Sequence, residues 1–182
     1  MTTALERLSI GLASLALSVG LIALMSGYFA GKDPAGVTGG GATGPGLRFR
    51  DLGDATLQPG QLRPLYDSNP PTSGPHVPER VTRQGQQLND DQLLQALAAG
   101  NVVVVYDAQT PPPGLQQLAS SLAGRFTPAL ATAGQAVITA RRPGTKGLVA
   151  LAWTHLIHVA SPSDPLLRSF AQFWLGRGAR GH

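Results

Sequence analysis

Asn89-Asp90-Asp91-Gln92-Leu93-Leu94-Gln95-Ala96-Leu97-Ala98-Ala99-Gly100-Asn101-Val102-Val103-Val104-Val105-Tyr106 is the stretch on which the fold turns. Asn89 suits a helix N-cap, and Gln92 stands three residues on, the spacing of a capping box. Asp90 and Asp91 place negative charge in the first turn, where the helix dipole favours it. The pattern predicts a helix over residues 90–99 that stops at Gly100. Residues 101–106 then change character. Four consecutive valines are stiff at χ1, and a β-branched run of this kind predicts a buried strand.

Working outward, Pro111 to Gly114 break the chain, and residues 115–124 read as a second helix. Residues 136–141 and 148–159 read as two strands joined by the turn Arg142-Pro143-Gly144-Thr145-Lys146-Gly147. Asp164 caps a last helix with Pro165 at its first position. Leu166, Leu167, Phe170, Phe173 and Trp174 give that helix an apolar face, and Gly176 ends it. Residues 47–88 are rich in Pro and Gly and predict no helix. The order is helix, strand, helix, strand, strand, helix. It predicts an α+β domain with helices packed on a small mixed sheet, an order compatible with a thioredoxin-like layout.

Toward the N-terminus, residues 8–30 carry no charge. As a helix that run spans roughly 34 Å, enough for a hydrocarbon core of about 30 Å. It predicts a membrane anchor over residues 1–30. A cleaved signal peptide is the rival, but Tyr28 would then occupy the −3 position, where a small residue belongs. Ala16, Gly20, Ala23 and Gly27 share one face of this helix, a surface for another helix or simply the usual small residues of such spans. Residues 31–46 contain seven glycines and two prolines and read as a flexible tether. Residues 47–182 are then one globular domain, expected outside the cytoplasm in the cell envelope.

Composition narrows the chemistry. The chain has no cysteine, and its two methionines are Met1 and Met25. The domain therefore has no disulfide, no thiolate or thioether ligand and no Cys-x-x-Cys motif. The net charge is +4. Beyond residue 140 only Asp164 offsets Arg141, Arg142, Lys146, Arg168, Arg177 and Arg180. Such a surface favours a small anionic substrate, lipid headgroups or acidic polymers. The basic residues form no dense run interleaved with aromatics, so nucleic acid is not expected. Asp90-Asp91 reads as helix-end charge and Arg141-Arg142 as a solvated turn. No nucleophile elbow, phosphate-binding loop or paired carboxylates are present.

The most distinctive segment is Tyr66-Asp67-Ser68-Asn69-Pro70-Pro71-Thr72-Ser73-Gly74-Pro75-His76. Three prolines fix φ and remove amide donors, and Asn69, Thr72 and Ser73 can cap turns. The loop is stiff and presents His76 at a defined place. That suits a ligand or catalytic group, or equally a structural loop whose histidine bonds a backbone carbonyl. Any metal in the domain would be held by His76, His155, His158, carboxylates or water, a donor set suited to copper(II), zinc or nickel. His155 and His158 are three apart. On a strand they point to opposite faces, so at most one joins His76 unless a bulge intervenes. His182 lies on a tail.

Asn69 to His76, together with Leu97-x-x-Gly100-x-Val102-Val103 and Ala152-Trp153, resembles a family of bacterial envelope proteins of unassigned function. The resemblance covers roughly residues 60–175. The family pattern has His-x-Leu-Glu-His-Gly where this chain has Gln95-Ala96-Leu97-Ala98-Ala99-Gly100. Both histidines and the glutamate are missing here. The resemblance implies a copper-dependent superoxide dismutase-like oxidoreductase within an envelope or S-layer assembly, with His76 as a ligand and His155 or His158 beside it. The alternative is a non-enzymatic docking subunit, associated with other envelope proteins or with copies of itself.

Overall fold

The computed structural model describes residues 44–179. The expected anchor, most of the tether and His182 lie outside the described residues. Among the described residues no helix is long and apolar enough to cross a membrane.

The domain is a mixed α+β structure with five strands and, among the described residues, four helices. The strands are β1 (Leu47–Arg48), β2 (Val102–Tyr106), β3 (Val137–Arg141), β4 (Leu148–Ala152) and β5 (His155–Val159). The helices are α1 (Asp90–Ala99), α2 (Leu115–Ala123), α3 (Pro128–Thr132) and α4 (Pro165–Trp174). The sheet order is β1-β5-β4-β2-β3. Only β2 and β3 run parallel, joined through α2 and α3; the other pairs are antiparallel.

The helix-to-strand stretch behaves as its sequence predicts. Asn89 accepts from the Gln92 N–H, and the Gln92 side chain accepts from the Asn89 N–H, so the capping box closes. Gly100 ends α1 in the left-handed region at φ 109°. Every residue of β2 is buried. The reason is layering. Val103 and Val105 pack with Leu93, Leu94 and Leu97 of α1 on one face of the sheet. Val102, Val104 and Tyr106 pack with Leu115 of α2 and Phe170 and Trp174 of α4 on the other. A strand covered on both sides reads as an unbroken apolar run.

The structure corrects one expectation. Residues 148–159 are two strands, turned back at Trp153-Thr154. Neither residue is a usual turn former, so the local signal for a break was absent. Thr154 accepts a φ of 60°, a left-handed conformation held by tertiary bonds. Its N–H donates to the Thr72 carbonyl at 3.0 Å, and its own carbonyl accepts from the Phe49 N–H at 2.7 Å. β3 and β4 are consecutive in the chain but lie on either side of β2. The short helix α3 also escaped the sequence reading, although Thr127 caps it and Pro128 opens it.

The outer edge of β3 is closed by a side chain. Gln84 Nε2 donates to the Val137 carbonyl at 2.9 Å, while Gln84 Oε1 accepts from the Thr139 N–H at 2.6 Å. Gly85 N–H donates to the Thr139 carbonyl at 2.8 Å. The edge is thereby removed as a template for another strand. At the opposite end, residues 44–46 pack on α4, with Trp174 Nε1 donating to the Pro45 carbonyl at 2.8 Å.

Candidate functional site

The proline loop works as a buckle between the first segment of the domain, α1 and the β4–β5 hairpin. Thr72 and Ser73 are buried. Ser68 Oγ accepts from the Thr72 N–H at 3.1 Å, and Ser73 Oγ donates to the Arg50 carbonyl at 3.0 Å. Tyr66 donates its phenol hydrogen to the Pro75 carbonyl at 2.8 Å. Asp91, itself buried, accepts from the Val77 N–H at 3.0 Å and pairs with Arg63. Arg142 donates to Asp90 at 2.7 Å and to Asn69 Oδ1 at 3.1 Å. Both aspartates thus do more than charge a helix end, and Arg142 is a clamp on the loop rather than a solvated turn residue.

His76 is 4% exposed. Its N–H donates to the Ala55 carbonyl at 3.1 Å, and its carbonyl accepts from the Leu57 N–H at 2.9 Å. Its Nδ1 lies 2.9 Å from the Gly74 carbonyl. A carbonyl only accepts, so Nδ1 carries a proton and donates it.

His155 is also buried. It stacks on Trp174 with ring centroids 3.9 Å apart. Thr154 Oγ1 gives its single hydrogen to the Trp153 carbonyl at 2.7 Å, so it accepts from His155 Nδ1 at 3.0 Å. His158 is exposed. The strand from His155 to Val159 is regular, paired residue for residue with β4. His155 and His158 therefore face opposite sides of the sheet, since side chains alternate along a strand. His76, His155 and His158 do not meet as one set. Among the described residues no group of three or more His, Asp or Glu side chains is placed to hold a metal ion.

A separate cleft of about 240 Å³ opens between α1, α3 and the strand of chain that follows the loop. Gln95, Ala96 and Ala99 line it from α1, Ala131 and Thr132 from α3, and Pro78, Arg80 and Val81 from the loop side. Asn101 closes its base. This asparagine is 1% exposed and fully engaged. Its Nδ2 donates to the Ala96 carbonyl at 2.9 Å and the Ala131 carbonyl at 2.7 Å, and its Oδ1 accepts from the Ala136 N–H at 2.9 Å.

Residues 62–180 match the model of a family described as "Protein of unknown function (DUF3105)". The chain belongs to this family. No curated protein and no solved structure matches the chain. The match to DUF3105 starts at Leu62 and takes in the proline loop, all four helices and every strand except β1. Membership carries no activity with it, because none is assigned in the family's description.

Within this DUF3105 domain the cleft was the part that sequence reading missed. Gln95 and Ala99 are two of its lining residues. They are four apart, so they share a side of α1. The remaining lining residues come from sequence positions as far apart as Pro78 and Thr132, and no local pattern connects them.

Proposed function

We propose that this DUF3105 domain is a non-enzymatic docking subunit of a cell-envelope assembly, held there by the apolar segment at residues 8–30. One observation carries the reading. Leu62 and Leu65 are 93% and 97% exposed. They stand on a segment pinned beside each of them: Arg63 pairs with buried Asp91, and Tyr66 bonds to Pro75. Two large apolar side chains offered to solvent from a fixed backbone are an arrangement that a partner would bury. Binding would cost little further ordering of that backbone. The histidines support the same reading, since His76 and His155 are built into hydrogen-bonded and stacked positions.

The test is site-specific photo-crosslinking of the full chain in its own cells. A crosslinker at position 62 or 65 is expected to capture one discrete envelope protein. One at exposed Gln116, on α2, is expected to capture none. Equal, diffuse labelling from all three positions would sink the docking reading. A His76→Ala chain is expected to keep the same crosslinks. A copper-dependent superoxide dismutase would instead require metal bound by the wild-type chain and loss of superoxide removal in that variant.

A further inference from the structure

We infer that the cleft between α1 and α3 binds a small organic carboxylate, with its charge on Arg80 and its apolar body against Val81, Ala96 and Ala99. This site is independent of the docking surface at Leu62 and Leu65.

The charge argument is local. Arg80 lines the cleft and makes no ion pair among the described residues. No carboxylate lines it. Neighbouring Glu79 is engaged elsewhere, accepting from Asn89 Nδ2 at 2.9 Å. Asp90 and Asp91, at the far end of α1, are paired with Arg142 and Arg63. Arg80 is exposed at the rim of the cleft, and a guanidinium there with no counter-charge favours an anion, its planar fork matching a carboxylate. Gln95, half-buried on the same rim, supplies an amide donor.

The carbonyl ends of α1 and α3 approach the same place, which would ordinarily favour a cation. Several of their acceptors are occupied. Ala96 and Ala131 accept from Asn101, and Ala98 accepts from the Ala179 N–H at 3.0 Å. The Ala96 and Ala131 carbonyls are thus already bonded by Asn101, and Arg80 is the charged side chain that lines the cleft.

Size and lining set the class of ligand. A volume of about 240 Å³ is many times what a single water needs. That admits a carboxylate with a ring or a short aliphatic chain. Val81, Ala96 and Ala131 are buried apolar residues, which suit the hydrocarbon part.

The experiment is a fluorine NMR titration of the full chain in detergent micelles with 4-fluorobenzoate, and with 4-fluorobenzamide as the uncharged isostere. Saturable binding of the benzoate is expected. Arg80→Gln should weaken it by about tenfold, the loss of a charge-assisted pair, while leaving the weaker benzamide binding unchanged. Ala99→Leu should fill the cleft and weaken both. If Ala99→Leu shifts the unfolding midpoint, Gln95→Phe blocks the same space from a half-buried position. The inference is overturned by no saturable benzoate binding, by equal binding in Arg80→Gln, or by cleft-filling variants that bind as the wild type does.

Discussion

Trp174 lies stacked on His155, ring centroids 3.9 Å apart and planes inclined by 28°. The same indole donates to the Pro45 carbonyl and meets Phe173 edge-on at 4.8 Å. His155 is thus a packing residue that ties β5 to α4. His155→Ala should lower stability by about 1–3 kcal/mol, the scale of a lost buried stack with its hydrogen bond. His155→Phe keeps the stack and should cost less. Urea midpoints measured in chelator decide it: a neutral His155→Ala without metal would remove the structural role.

Asp91 holds the proline loop to α1 through two different partners. Asp91→Ala leaves the Val77 N–H without its acceptor and should cost about 1.5–3 kcal/mol. Arg63→Ala should cost under about 1 kcal/mol, because the Arg63 side chain is 48% exposed and solvent screens the pair. Chemical unfolding of both variants tests the ranking; an Arg63 effect as large as that of Asp91 would contradict it.

Asn101 joins α1, α3 and the start of β3 through three side-chain bonds. Asn101→Ala strands the buried Ala136 N–H and should cost about 2–4 kcal/mol. Gly134 should be as intolerant. Its φ is 71°, and a Cβ there would run into the Ala99 carbonyl. Gly134→Ala is expected to lower the thermal midpoint by several degrees, read by circular dichroism.

Two phenols titrate above their ordinary range. Burial raises Tyr66, with Arg63 opposing and Asp91 and Asp90 adding to the rise. Burial also raises Tyr106, opposed by Arg141. A native state that holds these protons more tightly than the unfolded chain keeps the full contribution below the ordinary phenol value of 10.0. That contribution is lost as pH rises through the folded-state values. Stability should therefore fall on the alkaline side, above about pH 10. Tyr106→Phe should blunt that fall. At neutral pH it should cost nothing or stabilise by up to about 1 kcal/mol, because the buried Tyr106 hydroxyl has no hydrogen-bond partner among the described residues. Tyr66→Phe should cost about 1 kcal/mol through its lost bond to Pro75. Unfolding midpoints from pH 7 to 11 check both signs.

Much of the fold was legible in the chain because its signals are local. The Asn89–Gln92 box, the stop at Gly100, the valine run and the Asp164-Pro165 start each act over a few residues, and each appears where expected. The alternation of a strand was enough to expect His155 and His158 on opposite faces. Tertiary structure alone decided the rest. It inserted β2 between β3 and β4. It turned residues 148–159 back at Trp153-Thr154, where bonds from Thr72 and Phe49 hold a backbone that neither side chain prefers. It buried His76 and His155. It also drew Arg80, Gln95, Asn101 and Thr132 around one cleft. Such convergence depends on how helices seat on a sheet, and packing of distant segments leaves no periodicity in the sequence of any one of them.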